Sequence, residues 1–341
     1  MSKLSNNFQS AHSRIEWIDA LRAIPMIFVV LVHSASKCNN YFVYNVFVAP
    51  IMLPLFFAIS GYLFKVKDDN YLKFYGGLMR KLVIPWLFFS TIWLQFMRVP
   101  FEGFYPYFTS RLYKLVTGTL WYLPYYILVE IIQFTIQRKV KKPVAVIGIN
   151  IGLCAVGCAL SFVKASWVLY LSKLLIIQLY FTIGYILRHH EALLDKTKWW
   201  HIICAVVTYV VLGLVSLYVF PGEFPSINRN VYPNLVLFFA MTVLGIVALF
   251  AIARRIKRIP RLVSFIGQNT LFCYGSHGFF MSLISIGLKF INVNVPVNWG
   301  TAILKTLFVL FVCGVGAVFT NKYLPEIVGK RRKKKEFSNK S

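Results

Sequence analysis

Stretches of about 18 or more apolar residues recur from one end of this chain to the other, and that repetition limits the fold more than any other feature. Each stretch is long enough to carry a helix across roughly 30 Å of hydrocarbon. Ten can be counted, at about 18–36, 42–64, 82–98, 120–137, 143–163, 167–187, 199–219, 232–253, 268–290 and 299–320. Hydrocarbon offers the backbone no hydrogen-bond partners, so such segments satisfy themselves as helices. The expected fold is therefore an all-α polytopic membrane protein with about ten transmembrane helices. The connecting loops are too short to hold a soluble domain. Residues 1–341 read as one integral-membrane domain, with a transmembrane core at about 18–320 and a basic cytoplasmic tail at 321–341.

The net charge of +26 suggests nucleic acid in a soluble protein. Here the cations lie in alternate loops, and no nucleic-acid partner is expected. The leader through Arg22, the segments 65–81, 138–142, 188–198 and 254–261, and the tail together hold 28 of the 37 lysines and arginines. By the positive-inside rule these loops, and both termini, face the cytoplasm. The run from Lys330 to Lys335 is expected to rest near anionic lipid. Tyr71–Lys81 mixes aromatic and basic residues and is expected to lie along the inner surface. The first span is too long for a signal-peptide core and should remain as an anchor. Most of the six cysteines sit in apolar runs as small hydrophobes, and Cys154 and Cys158 have no His or carboxylate near them in sequence. No metal site is expected.

Ionisable residues within spans are costly and point to function. Lys173, Lys289 and Lys305 are expected to snorkel. Glu130 is the one acidic residue well inside a span, and His33 and His277 also lie deep. Arg22 and His33 are 11 residues apart, which returns to the same helix face within roughly 20° and separates them by about 16 Å along the axis. Asp19, three residues before Arg22, is placed to pair with it. Spacing alone leaves two readings open. Arg22 is an inner-leaflet anchor and His33 an imidazole satisfied by a carbonyl, or the two belong to one site in which a neutral imidazole acts as a general base. Ser60-Gly61-Tyr62 suits close helix packing. Arg80 and Lys81 read either as membrane anchors or as a grip on phosphates.

Taken in order, several stretches resemble the acyltransferase-3 family of bacterial integral-membrane O-acyltransferases. They are Trp17-Ile18-Asp19-Ala20-Leu21-Arg22 leading to His33, Phe56-Phe57-Ala58-Ile59-Ser60-Gly61-Tyr62, Arg80-Lys81 with Pro85, Leu120-Trp121-Tyr122-Leu123, and Ile266-Gly267 through His277. The family often has two arginines three apart before the third helix; here Lys81 follows Arg80, and Val83 stands three on. The resemblance implies a membrane O-acetyltransferase of the bacterial inner membrane. Its co-substrate would be cytoplasmic acyl-CoA, most often acetyl-CoA, with no tightly bound cofactor. The acceptor would be a sugar hydroxyl of a surface glycan or its lipid-linked precursor.

On that reading Arg22, Arg80 and Lys81 hold the donor phosphates and the pantetheine arm runs up the first helix. His33 is the general base, Asp19 fixes Arg22, and Glu130 orients an imidazole or holds the acceptor. Trp121 and His277 belong to the acceptor side. The rival reading is a proton-coupled transporter or flippase, which the same buried Glu and His would suit.

Overall fold

A computed structural model describes residues 16–66, 70–96, 118, 120–163 and 165–332. In chain order the helices are α1 (Glu16–Ala35), α2 (Tyr41–Leu63), α3 (Tyr71–Leu78), a π turn (Met79–Val83), α4 (Ile84–Phe96), α5 (Tyr122–Lys139), α6 (Pro143–Leu160) and α7 (Ser166–His189). They continue with α8 (Glu191–Lys196), α9 (Trp199–Val219), α10 (Leu235–Arg255), α11 (Arg261–Gln268), α12 (Thr270–Phe290), α13 (Trp299–Tyr323) and a closing 3-10 turn (Pro325–Val328). The described residues contain no strand, and Ser226 and Val231 form an isolated bridge. The fold is all-α and polytopic.

Eight helices (α1, α2, α6, α7, α9, α10, α12 and α13) are long and apolar enough to cross a membrane. The other two predicted spans fall on α4 and α5. α5 matches α6 in length but carries Glu130, Arg138 and Lys139, which lower its hydropathy. α4 is described over 13 residues. The leader before Glu16, nearly all of the predicted loop at 99–119 and the tail beyond Arg332 lie outside the described residues.

Helices in lipid gain little from burying apolar surface against one another, so they associate through close backbone approach and polar contacts. α2 and α7 show the first device. A Cβ on Gly184 would run into the Ala58 carbonyl, and one on Gly61 into the Phe181 carbonyl. The Ser60-Gly61 pair thus acts as a packing motif. α5, α6 and α7 show the second. Gln133 Nε2 donates to Asn150 Oδ1 and to Gln178 Oε1, each at 2.7 Å, and all three residues are fully buried. The outer face of α9 presents Val207, Val210, Val211 and Leu214, and that of α13 presents Leu307, Phe311 and Val315. Such faces suit lipid contact.

Two expectations change here. Lys173 does not snorkel. Its ammonium is buried, donates to the Asn228 carbonyl at 2.9 Å, and lies 4.5 Å from the ring centroids of both Trp121 and Tyr125. A cation held by a carbonyl and two aromatic faces has no need to reach the surface. The Tyr71–Lys81 segment is more than a surface strip. Phe74 stacks on Phe134 of α5 with centroids 3.9 Å apart, and Arg138 sits 3.9 Å over the Tyr71 ring. α3 is therefore pinned beneath α5, and the chain turns from it through the π turn into α4.

Candidate active site

α1 runs unbroken through Pro25 and carries His33 in its last turn. The His33 ring lies 5.2 Å from the His277 ring of α12, centroid to centroid, with the planes tilted by 33°. The two imidazoles differ in setting. His33 is exposed, whereas His277 is 1% exposed. His277 Nδ1 contacts the backbone carbonyls of Cys273 at 3.1 Å and Tyr274 at 2.8 Å. Carbonyls only accept, so Nδ1 carries the hydrogen, and in the neutral ring Nε2 keeps a lone pair. Among the described residues no group hydrogen-bonds that buried Nε2. A buried acceptor without a partner is unusual enough to need a role.

Beneath this pair two cavities join. The larger, about 800 Å³, is lined by the cations Arg22, Lys65, Lys73, Arg80, Lys81 and Arg331, with Glu130 as its one carboxylate among the described residues. The smaller, about 150 Å³, shares Arg22, Ser60, Leu82 and Tyr126 with it and continues between α2, α5 and α12 to Tyr122 and Tyr274. Arg22 stands at the junction. The Tyr274 ring is 5.9 Å from that of His277. Neither histidine lines the smaller cavity. Tyr122 packs 4.8 Å from Phe57 and 5.6 Å from Tyr274, and Tyr274, which lines the cavity, is the ring that meets His277.

Arg80 and Lys81 reach the larger cavity from the π turn, a helix irregularity often found at functional sites. Arg80 Nε is buried and has no hydrogen-bond partner among the described residues. The Tyr126 hydroxyl hydrogen-bonds both Ser60 Oγ and Glu130, and Lys81 interacts electrostatically with Glu130. Among the described residues six cations surround one carboxylate in this vestibule, a balance that favours anions, and guanidinium and ammonium groups together suit phosphates.

The structure thus brings Arg22, Arg80, Lys81 and Glu130 together at one end, and His33 and His277 together above them. Glu130 orients neither imidazole. It lies eight residues beyond Tyr122 on α5, about 12 Å along the axis, and faces the vestibule. Asp19 is buried where α1 crosses α11, its carbonyl against Gly267. Trp121 is occupied by Lys173 and lines neither of these cavities. Sequence reading missed Lys65, Lys73, Tyr122, Tyr126, Tyr274 and Arg331. A signal existed for two of them, since Tyr122, Tyr126 and Glu130 recur every four residues along an otherwise apolar span.

The sequence profile of the acyltransferase-3 family, described as an acyltransferase domain, matches residues 15–319. No curated protein and no solved structure matches the chain. The family match takes in both histidines, Arg22, the π-turn cations and every helix that shapes the passage between them. The chain belongs to the acyltransferase-3 family and is a multi-pass membrane acyltransferase.

Proposed function

We propose that the protein is an O-acetyltransferase of a bacterial inner membrane. It moves an acyl group, most often acetyl, from cytoplasmic acyl-CoA to a sugar hydroxyl of a surface glycan or its lipid-linked precursor. The observation that carries this reading is the geometry of the passage. A basic vestibule meets a narrow cavity at Arg22, and that cavity ends one aromatic layer below a pair of imidazoles. In this orientation the vestibule and both termini face the cytoplasm, in keeping with the charge of the loops.

The donor phosphates sit among Arg22, Arg80 and Lys81, and the pantetheine arm rises along α1. The axial distance of about 16 Å from Arg22 to His33 suits that arm. Tyr122 and Tyr274 must turn aside for the thioester to reach His33. His33 takes the proton of the acceptor hydroxyl as its oxygen attacks the thioester carbonyl. The C–O bond forms, the C–S bond breaks, and the proton passes from His33 to the departing thiolate. His277 Nε2 accepts a hydrogen bond from one nitrogen of His33, so the other nitrogen presents its lone pair to the hydroxyl. General base catalysis of this kind supplies about 10²–10⁴-fold, and holding the two substrates in register supplies more. Asp19 acts at a distance, by fixing the segment of α1 that carries Arg22.

The test is transfer of radiolabelled acetyl from acetyl-CoA to glycan in membranes containing the protein. His33→Ala protein present at the normal amount should transfer no label above background. Transfer at the unmodified rate sinks the mechanism. Substrate movement that depends on a proton gradient and proceeds without CoA favours the transporter reading instead.

A further inference from the structure

The family match ends at residue 319, yet the vestibule is completed by a residue beyond it. After α13 the chain makes the turn Pro325–Val328 and folds back under the bundle, with Pro325 and Val328 buried. Val328 belongs to the main hydrophobic core. Gly329 follows with φ of 71°, a left-handed conformation that favours glycine. A Cβ there would also lie 2.7 Å from the Lys81 carbonyl oxygen. The backbone of this segment therefore rests directly on the π turn that supplies Arg80 and Lys81.

The next residue is fixed as well. Lys330 Nζ donates to Asn269 Oδ1 at 2.9 Å and to Asn321 Oδ1 at 2.7 Å, and Asn321 Nδ2 donates to the same Asn269 oxygen at 2.8 Å. On the other side Arg332 pairs with Glu326 at 3.3 Å and donates to the Tyr323 carbonyl at 3.2 Å. Arg331 stands between these two anchors and lines the vestibule with Arg22, Arg80 and Lys81.

We propose that Arg331 is a donor-phosphate ligand and that Pro325–Arg332 is a strap whose purpose is to present it. The inference rests on the reading of the donor as a CoA thioester. A strap built only to cap the bundle has no use for a cation directed at the cavity, flanked on both sides by residues whose own charges are already engaged. Arg331 is exposed at the vestibule rim, which suits the phosphate-bearing end of the donor, the part farthest from the thioester. A guanidinium held in place loses little freedom on binding and offers a phosphate two parallel hydrogen bonds.

The experiment is label transfer at varied acetyl-CoA concentration, using the full-length protein in membranes. Arg331→Ala should raise the donor KM about tenfold, with kcat unchanged. Arg331→Lys should fall between the two, since a point charge keeps attraction and loses the paired bonds. Lys330→Met should also raise the donor KM, because it frees the strap while leaving Arg331 in the chain. An unchanged donor KM in Arg331→Ala overturns the proposal, as does a fall in kcat alone. If the unmodified protein does not use acetyl-CoA at all, the donor reading fails and this inference with it. If it does, and only the Arg331 variants are silent, the donor reading survives and the strap's role alone is refuted.

Discussion

Replacing His277 by Ala tests the pairing of the two imidazoles most directly. As long as both rings are neutral, a hydrogen bond from His33 to His277 Nε2 contributes about 0.5–1.5 kcal/mol. Once His33 has taken the acceptor proton the bond is charge-assisted and is worth about 1.5–3 kcal/mol. Among the described residues no group occupies that lone pair, and Nδ1 is tied to the Cys273 and Tyr274 carbonyls, so Nε2 is open to His33 once the two rings turn to meet. Only the difference of about 1–1.5 kcal/mol acts on the barrier, so His277→Ala should lower kcat by about 5–13-fold. The KM for acetyl-CoA should not move, because the vestibule cations are untouched. His277→Asn keeps an acceptor oxygen and should recover part of the loss. The assay is label transfer in vesicles, titrating first acetyl-CoA and then glycan extracted from the same membranes, with the protein quantified in each preparation. A raised acceptor KM with kcat intact would falsify the positioning role and return His277 to sugar binding. So would an Asn variant no better than Ala.

Three further predictions concern the passage, the core and the loops. Tyr122→Ala removes a ring that lines the end of the narrow cavity and packs on Tyr274, so water should reach the thioester. Thiol release from acetyl-CoA in vesicles lacking acceptor should rise relative to transfer, and an unchanged ratio means that Tyr122 is no barrier. Gln133→Leu leaves Asn150 and Gln178 without their shared donor, at about 1–3 kcal/mol for each buried group left unpaired. The detergent-solubilised protein should melt several degrees lower with its donor KM unchanged; an unaltered melting temperature refutes the network's role. Outside the spans, hydrogen bonding to Arg254 holds Glu191 below the usual carboxylate range. A depressed folded pKa stabilises above the unfolded value of about 4.3 and is lost as pH falls through the folded one. Glu191→Gln should thus lower the melting temperature at pH 7, with the difference closing below about pH 4; a gap that stays constant with pH rules the ion pair out as its source.

The limits of sequence reading follow from what periodicity encodes. Length and hydropathy located ten helices, because a span must satisfy its own backbone wherever it sits. Helical arithmetic gave the relation of Arg22 to His33, since both lie on one helix. It gave nothing on the relation of His33 to His277, which depends on how α1 packs against α12. Glu130 shows the same boundary. Its depth within a span was legible, but not that Tyr126 and Lys81 would meet it and leave both imidazoles out of its reach. Lys173 read as a snorkelling cation because its partner, the Asn228 carbonyl, comes from a loop 55 residues away. Arg331 was lost in a basic run whose composition suits a lipid surface. Gly329 seated on the Lys81 backbone, and Lys330 held by Asn269 and Asn321, show that the described part of that run turns inward.

These placements bear on how one chain can separate the binding of a donor from its reaction. Arg22 of the vestibule and His33 of the imidazole pair sit at different heights on α1, so on the proposed reading α1 sets the distance between donor binding and reaction. That distance is fixed by register, and a one-residue slip would rotate either end off the passage by about 100°. Tyr122 and Tyr274, packed 5.6 Å apart, line the end of the narrow cavity, and Tyr274 lies against His277; on the proposed reading they part the donor from the base until they turn aside. A site open from end to end would hydrolyse its donor, because a base strong enough to activate a sugar hydroxyl also activates water. The closed passage is therefore the arrangement this chemistry requires before the donor arrives. Binding energy from the phosphate end is then available to turn the rings aside, which ties opening to the presence of the donor.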